Sequence, residues 1–291
     1  MFFKRLFENL KIKLKEKFRS KQNAKPELLL LCGSGHNGST ILARVLLGHP
    51  MIGGEISETF VFGLSDEKSW PAIFEQLALS AGNPTWLLEK TPIHIFNASN
   101  IFKIFPTARC ICLLRDGREV VASMVKRSHS VVTATERWCN TSREILLLRS
   151  KYPNQTILVR YEDLLENPAD TLERIASFLA ISSSRLKHEA KISNNTTYLG
   201  NTIKGKWALK SYRSYEQVGY SLPHDQRRAI QAALPLGGPP FRSNWDELSI
   251  DEKSKVKQND DFWFYNKVFG YLAWGEKGEF YNSSDNISSS I

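Results

Sequence analysis

The feature that most constrains the fold is an apolar segment followed directly by a glycine-rich loop and a helical pattern. Residues 27–32, ELLLLC, form a short continuous apolar run, as in a strand buried on both faces. The stretch CGSGHNGST, residues 32–40, follows, and residues 39–49 then show helical periodicity. A loop between a buried strand and a helix suits an anion, because its backbone N–H groups and the helix N-terminus carry partial positive charge. This segment predicts an anion site at the end of the first strand.

Further apolar strands alternate with helices along the chain. We predict strands at 85–90, 108–115 and 155–163, and helices at 70–82, 93–105, 116–127, 133–151 and 169–180. The stretch MIGG, residues 51–54, is a poor strand. The alternation predicts an α/β fold, a P-loop-like three-layer fold with a central, mainly parallel sheet flanked by helices. In such sheets ligands bind beyond the carboxyl ends of the strands, where the sequence places the glycine loop, Lys90, Arg115 and Tyr161.

The length of 291 residues suits one catalytic domain with a short extension at each end. We predict a basic amphipathic arm over 1–25, a catalytic domain over 26–281 and a disordered tail over 282–291. The arm holds nine basic and two acidic residues and so carries +7 of the formal net charge of +9. The domain is therefore close to neutral, and we expect local anion sites in it and no nucleic-acid partner.

Two interpretations of the arm remain open. It acts as a helix that contacts a membrane surface or a partner weakly, or it has no such role and either docks on its own domain or stays a solvated arm. The chain has no apolar run of 18 residues, no secretory leader pattern and four cysteines without metal-type spacing. These observations predict a cytoplasmic protein.

The glycines alone do not identify the ligand of the loop. Gly33, Gly35 and Gly38 match the dinucleotide fingerprint, but the acid that NAD(P) binding needs, Glu55, follows a poor strand. Gly33 and Gly38 also match the frame of a triphosphate P-loop, yet Ser39 stands where such a loop needs lysine. An ATP-dependent small-molecule kinase is therefore the weaker alternative.

The third candidate ligand, 3′-phosphoadenosine 5′-phosphosulfate (PAPS), needs two separate anion sites. Its 5′-phosphosulfate suits a loop of glycines and hydroxyls, and its 3′-phosphate requires a second anion site. The stretch RDGREVVAS supplies one, because Arg115 leaves a strand and Ser123 lies eight residues later on the next helix. An arginine can bind a phosphate through two parallel hydrogen bonds.

Five motifs occur in order along the chain: GSGHNGSTILARVLLGHP, GGE, EKTP, LLRDGREVVAS and LVRYEDLLENPADTLERIASFL. With these motifs the chain resembles the PAPS-dependent sulfotransferases, in the branch of the carbohydrate and tyrosylprotein sulfotransferases and many bacterial relatives. The resemblance covers residues 27–180 and continues weakly to 207.

The resemblance implies a nucleotide site. In the family the glycine loop binds the 5′-phosphosulfate, a role that falls here on Gly35, His36, Asn37, Gly38, Ser39 and Thr40. The 3′-phosphate pair falls on Arg115 and Ser123. Tyr161 approaches the adenine or braces the sheet, and Lys204 resembles the late loop that closes on the nucleotide.

The resemblance also implies catalytic residues. Lys90 approaches the transferring group and stabilises developing charge. Glu55, in the Gly-Glu step of the tyrosylprotein-type branch, takes the proton of the acceptor, and His94 is the second candidate for this base. His36 stands where similar loops carry Arg or Lys. A neutral His36 can donate one hydrogen bond, and a protonated one would offset charge on the leaving phosphate.

The sequence thus predicts an enzyme that transfers a sulfuryl group from PAPS to an acceptor hydroxyl of a carbohydrate, a tyrosyl group or a small molecule. The product nucleotide is adenosine 3′,5′-bisphosphate, and no metal is required. Besides the kinase, a non-enzymatic nucleotide-binding or membrane-recruited adaptor is the alternative. Glu55 and Lys90 argue against the adaptor, because binding alone needs neither a base nor a cation at the transferring group.

Overall fold

The computed structural model describes residues 25–191, 195–198, 201–204 and 245–271. The predicted arm, apart from Lys25, and the predicted tail lie outside the described residues. Within the described part of the chain, no helix is both long enough and apolar enough to cross a bilayer.

The centre of the fold is a five-stranded sheet in which every pair of neighbouring strands is parallel. Its strands are β1 (Glu27–Gly33), β2 (Ile52–Gly54), β3 (Trp86–Glu89), β4 (Arg109–Leu114) and β5 (Thr156–Arg160). They lie in the order β2-β3-β1-β4-β5, so β1 is central. A separate antiparallel pair is formed by β6 (Asn195–Tyr198) and β7 (Asn201–Lys204).

Helices follow most of the strands and cover both faces of the sheet. Among the described residues, the α-helices are α1 (Ser39–Leu47), α2 (Val61–Leu64), α3 (Trp70–Ser80), α4 (Ala98–Ile104), α5 (Gly117–Val125), α6 (Val131–Lys151), α7 (Tyr161–Glu166), α8 (Pro168–Leu179), α9 (Ser183–Lys191), α10 (Ile250–Lys257) and α11 (Asp260–Val268). In the same part of the chain, short 3₁₀ segments lie at Glu67–Ser69, Pro92–Asn97 and Trp245–Glu247.

The alternation of side chains along β1 explains the three layers. Leu28, Leu30 and Cys32 pack on one face against α3, α4, α5 and α6, whereas Leu29 and Leu31 pack on the other against α1 and α8. All five side chains are buried. Burying a leucine completely stabilises a fold by about 1.5–3 kcal/mol, so the apolar run that predicts β1 also forms the centre of both cores. The predicted α/β architecture is confirmed.

Three local predictions were wrong. Residues 52–54 form β2, because this edge strand needs only three residues paired with β3 and its glycines fit where side chains would not. The strand predicted over 155–163 is β5, which ends at Arg160, and Tyr161 begins α7. The helix predicted over 93–105 is a 3₁₀ segment followed by α4.

The strand order determines which predicted site residues can meet. Gly33 at the end of β1 pairs with Leu113 of β4, so Arg115 lies beside the start of the glycine loop. On the other side, Leu30 of β1 pairs with Glu89 of β3, and Lys90 follows at once. The loop is therefore flanked by the ends of both neighbouring strands, the position in which such sheets bind ligands.

Candidate active site

The glycine loop turns tightly from β1 into α1. Gly38 is the N-cap of α1 with φ of 88°, a conformation that favours glycine. The carbonyl oxygen of Gly38 accepts hydrogen bonds from the N–H groups of Ile41 and Leu42. The first turn of α1 carries no acidic side chain that would repel an anion. The loop therefore has the form expected of an anion cradle.

Asn37 braces this loop from inside. It is fully buried, and its Nδ2 donates to the carbonyl oxygen of Leu113 at 2.8 Å. Its Oδ1 accepts from the N–H of Ser39 at 3.2 Å. Both ends of the side chain amide are thus engaged within the protein, so Asn37 shapes the cradle by joining it to β4.

His36 connects the loop to the two residues predicted to bind the 3′-phosphate. Arg115 Nη1 donates to the carbonyl oxygen of His36 at 2.9 Å. The Nδ1 atom of His36 lies 3.1 Å from Ser123 Oγ in a hydrogen bond. Arg115 Nη2 also lies 3.5 Å from the carboxylate of Glu119 one turn along α5. The two predicted anion sites are therefore neighbours that share His36.

Positive charge surrounds the ring of His36. Burial, followed by repulsion from nearby cations, lowers the pKa of His36 from 6.5 to about 3. The cationic and titratable neighbours that contribute are Arg127, Arg115, Arg137 and His129. His36 is consequently neutral near pH 7 in the absence of a ligand, and the same field would attract an anionic nucleotide.

Arg127 is a member of this cluster that our sequence reasoning missed. It lies four residues after Ser123, just beyond the end of α5, and its Nε atom is buried without a hydrogen-bond partner. Residues four apart share one face of a helix, and this spacing from Ser123 was the available signal.

Tyr161 lies beneath the loop. Its side chain is buried, and a Cβ atom at Gly38 would overlap its ring. The guanidinium carbon of Arg115 lies 5.0 Å from the centre of the same ring, a cation–π arrangement. Burial raises the pKa of Tyr161 to about 12. These contacts fit the interpretation that Tyr161 braces the loop and orients Arg115.

Lys90 is buried and paired. Its side chain has no exposed surface, and its Nζ lies 3.3 Å from Oε1 of Glu58, whose side chain is 23% exposed. Sequence reasoning did not single out Glu58, because it lies between predicted elements and its partner is 32 residues away.

A buried polar cluster lies beside Lys90. Glu89 accepts hydrogen bonds at Oε1 from the hydroxyl of Thr59 at 2.8 Å and from that of Thr91 at 2.6 Å. Burial raises the pKa of Glu89, and its hydrogen bonds with the two threonines act in the opposite direction. His94 Nε2 lies 3.4 Å from Glu89 Oε2 but makes no hydrogen bond. Burial lowers the pKa of His94 to about 4, and its ring packs against Phe62.

The two candidate bases therefore lie in different surroundings. Glu55 follows β2, is exposed and accepts a hydrogen bond from Ser57 Oγ at 3.0 Å. His94 is buried in the cluster just described, with an apolar ring for a neighbour. Glu55 is therefore accessible from solution and His94 is not, and the assignment of the base stays a prediction.

The remaining predicted residues are placed only in outline. Gly35 and Thr40 lie in the loop and in the first turn of α1. Lys204 ends β7, and its side chain lies outside the described residues. Among the described side chains, no group of three or more His, Cys, Asp or Glu could hold a metal ion. The absence of a metal requirement stays a prediction.

Comparisons with known proteins agree on one family. The model of the sulfotransferase family matches residues 61–185. Protein-tyrosine sulfotransferase 1 of Danio rerio is 22% identical over 294 residues, with 80% of each chain covered. A Caenorhabditis briggsae relative, whose name carries the same activity, is 25% identical over 281 residues, covering 84% of this chain and 98% of the relative.

The fold agrees with these matches. The sulfotransferase domain of the Synechococcus olefin synthase superposes with a TM-score of 0.51 at 18% identity, covering 86% of this chain and 97% of that domain. No support was found for the alternative of a kinase. The family model and the two relatives support a sulfotransferase family for this chain, and the solved domain shares its fold.

Proposed function

We propose that this enzyme transfers the sulfuryl group of PAPS to the phenolic hydroxyl of a tyrosyl residue. Sulfuryl transfer to an acceptor follows from the family, whereas the donor, the acceptor and the residue roles are the proposal. The observation that supports it is the pair of hydrogen bonds that link His36 to Arg115 and Ser123 and bring the two predicted anion sites together at the carboxyl end of the sheet. PAPS carries two separated anionic groups that such a double site would bind.

The glycine loop and the residues that follow β4 would bind different anionic groups of the nucleotide. The N–H groups at the start of α1 would hold the 5′-phosphosulfate, supported by the partial positive charge of the helix N-terminus. Arg115 and Ser123 would hold the 3′-phosphate, and Arg127 adds a cation near His36. His36 lies between the two groups, so its hydrogen bond with Ser123 would be exchanged for one to the nucleotide.

The transfer itself requires positioning and charge stabilisation. Glu55 would accept the proton of the acceptor hydroxyl as the oxygen attacks sulfur. Lys90 would neutralise the charge that develops as the bond between sulfur and the leaving phosphate oxygen breaks. By analogy with phosphoryl transfer, most of the rate enhancement comes from holding these groups in line.

The proposal of a tyrosyl acceptor rests on the relatives. Two proteins named as protein-tyrosine sulfotransferases match along at least 80% of their own length. In this chain Glu55 is exposed at the edge of the sheet, where a residue of a peptide could reach it. The predicted cytoplasmic location and membrane contact stay predictions.

Two measurements test the proposal separately. Adenosine 3′,5′-bisphosphate should raise the melting temperature, whereas ATP with Mg²⁺ and NAD(P) should not, because a ligand of the folded state stabilises it. With labelled PAPS, a tyrosyl peptide should gain label and its phenylalanine counterpart should not. Absence of a shift with the bisphosphate would contradict the donor site. A rise in melting temperature with the bisphosphate, together with labelling of a carbohydrate hydroxyl but not of the peptide, would contradict only the tyrosyl acceptor.

A further inference from the structure

The ion pair between Lys90 and Glu58 differs from an ordinary surface pair in that its lysine is buried. Lys90 is wholly buried, so its ammonium is removed from water and depends on the groups around it for stabilisation. Glu58 supplies a carboxylate 3.3 Å away and is itself largely buried. At a buried position a nearby carboxylate favours the charged form of a lysine and restricts where its ammonium lies.

Glu58 is held in place by the backbone that follows it. The N–H groups of Thr59 and Phe60 both donate to Oγ1 of Thr91 at 3.2 Å. The hydroxyl of Thr59 donates to Glu89, the residue before Lys90. Hydrogen bonds thus hold the segment that follows Glu58 against Glu89 and Thr91, the residues on either side of Lys90. Because this segment is held in place, the ion pair costs less conformational entropy than a pair between two flexible surface residues would.

Glu55 and Glu58 are three residues apart and differ in their contacts. Glu55 is exposed and takes a hydrogen bond from Ser57, whereas Glu58 faces the buried ammonium of Lys90. The exposed carboxylate can meet an acceptor from solution. The paired carboxylate is suited to act on Lys90.

We propose that Glu58 is a positioning residue that keeps Lys90 charged and aims its ammonium at the leaving group. This inference rests on the proposed function and extends it. During transfer the bond between the acceptor oxygen and sulfur forms as the bond between sulfur and the phosphate oxygen breaks, and that oxygen takes the electron pair. Glu55 takes the acceptor proton, Lys90 offsets the charge on the leaving phosphate, and Glu58 neither gains nor loses a bond.

Three substitutions test this role. Glu58→Gln removes the charge, Glu58→Asp withdraws it by one methylene, and Glu75→Gln makes the same chemical change at an exposed position of α3. With labelled PAPS and the tyrosyl peptide, Glu58→Gln should lower kcat roughly 10- to 100-fold, because a misplaced catalytic group costs about this much. Glu58→Asp should retain an intermediate rate, and Glu75→Gln should match the wild type. The Kd of adenosine 3′,5′-bisphosphate should rise much less than kcat falls in the two Glu58 variants, because the glycine loop and the pair of Arg115 and Ser123 are intact and only the contact of Lys90 with the 5′-phosphate is weakened, and it should not change in Glu75→Gln.

Peptides that contain fluorinated tyrosine separate positioning from proton transfer. Their phenols are more acidic and depend less on a base, so they should restore much of the activity of Glu55→Gln but not that of Glu58→Gln. A wild-type kcat for Glu58→Gln would overturn the proposal. Recovery of Glu58→Gln with fluorinated tyrosine would overturn it too, because Glu58 would then be the base.

The test remains decisive if one component fails. If Glu58→Gln does not fold, Glu58→Asp preserves the charge, and a wild-type kcat for that variant would overturn the proposal. If the tyrosyl peptide is not an acceptor, release of labelled sulfate from PAPS to water gives the same comparison without one. Loss of bisphosphate binding by the wild type would instead contradict the proposed function.

Discussion

The ring of Tyr161 occupies the space that a side chain at position 38 would need. Gly38 has φ of 88°, and a Cβ atom there would overlap two carbon atoms of that ring. We expect Gly38→Ala to lower the free energy of unfolding by more than the roughly 1–2 kcal/mol that a left-handed conformation costs an L-residue. The binding of adenosine 3′,5′-bisphosphate should weaken as well, because the loop must move away from Tyr161. Thermal unfolding and titration calorimetry measure the two effects.

Gly82 provides the matched control for this substitution. It has φ of 78°, and a Cβ atom there would meet nothing within 4 Å. Gly82→Ala should therefore show the backbone cost alone and leave bisphosphate affinity unchanged. Equal losses of stability for the two variants would mean that the contact with Tyr161 contributes nothing.

The side-chain amide of Asn37 makes the link between the loop and β4. Asn37→Asp would replace the donor to the carbonyl oxygen of Leu113 with an acceptor and would place a carboxylate in the cradle. We expect a loss of about 1–3 kcal/mol in the free energy of unfolding, because a buried group loses its partner. The affinity for the bisphosphate should fall by more than tenfold, because two negative charges then share the site.

Asn154→Asp makes the same chemical change at an exposed position and is the control. Denaturant unfolding gives the stability difference, and calorimetric titration gives the affinity. An Asn37→Asp variant as stable as Asn154→Asp, with wild-type affinity, would contradict the bracing role.

The parts of the site that lie at strand ends could be predicted from the sequence. A continuous apolar run identifies β1, β3 and β4 locally, and the residues that follow such runs, Lys90 and Arg115, lie at the carboxyl end of the same parallel sheet, on opposite sides of β1. By contrast, β2 could not be predicted from the sequence, because three residues that include two glycines show neither periodicity nor strand propensity. Its edge position depends on pairing with β3, which is a long-range contact.

Contacts between distant segments explain the residues that were missed. Glu58 is placed by hydrogen bonds that the N–H groups of Thr59 and Phe60 donate to Thr91, which lies more than 30 residues away in the chain. Asn37 was predicted as a nucleotide ligand, and only the register of β1 against β4 brings its amide to Leu113. The spacing between Ser123 and Arg127 was a local signal that could have been used.

Tyr271 contacts the start of α5 through the partly buried carboxylate of Glu162. Its hydroxyl donates to Glu162 Oε2 at 2.9 Å, and Oε1 of the same residue accepts from the N–H of Asp116 at 3.1 Å. Burial raises the pKa of Glu162, so the loss of a donor would further disfavour its charged form. We expect Tyr271→Phe to lower the free energy of unfolding by about 1–3 kcal/mol.

Tyr152 offers a comparison in which the packing of the ring dominates, since its ring meets Phe102 edge to face at 5.0 Å. Tyr152→Phe should reduce stability less than Tyr271→Phe in the same thermal scan. The opposite order would show that the hydroxyl of Tyr271 does not stabilise the fold.

The depressed pKa of His36 predicts how stability depends on pH. The unfolded chain binds a proton at position 36 below a pKa of 6.5, whereas the folded chain resists protonation until about pH 3. Stability from His36 is therefore complete above pH 6.5 and is lost as the pH falls towards 3. The melting temperature of the wild type should fall more steeply between pH 6.5 and 4 than that of His36→Gln. Parallel curves would show that the pKa of His36 is not depressed.

Nucleotide binding should favour the protonated form of His36, whereas the free enzyme favours the neutral form. The phosphates would place negative charge beside His36, so the wild type should take up more protons on binding the bisphosphate at pH 6 than His36→Gln does. Calorimetry in two buffers of different ionisation enthalpy measures this uptake, and the comparison between the two proteins removes the proton exchange of the phosphates themselves. His36→Arg carries a fixed charge and should bind at pH 8 more tightly than the wild type, which must first acquire its proton. Equal proton uptake by the wild type and His36→Gln would mean that His36 stays neutral against the nucleotide and contributes only a hydrogen bond.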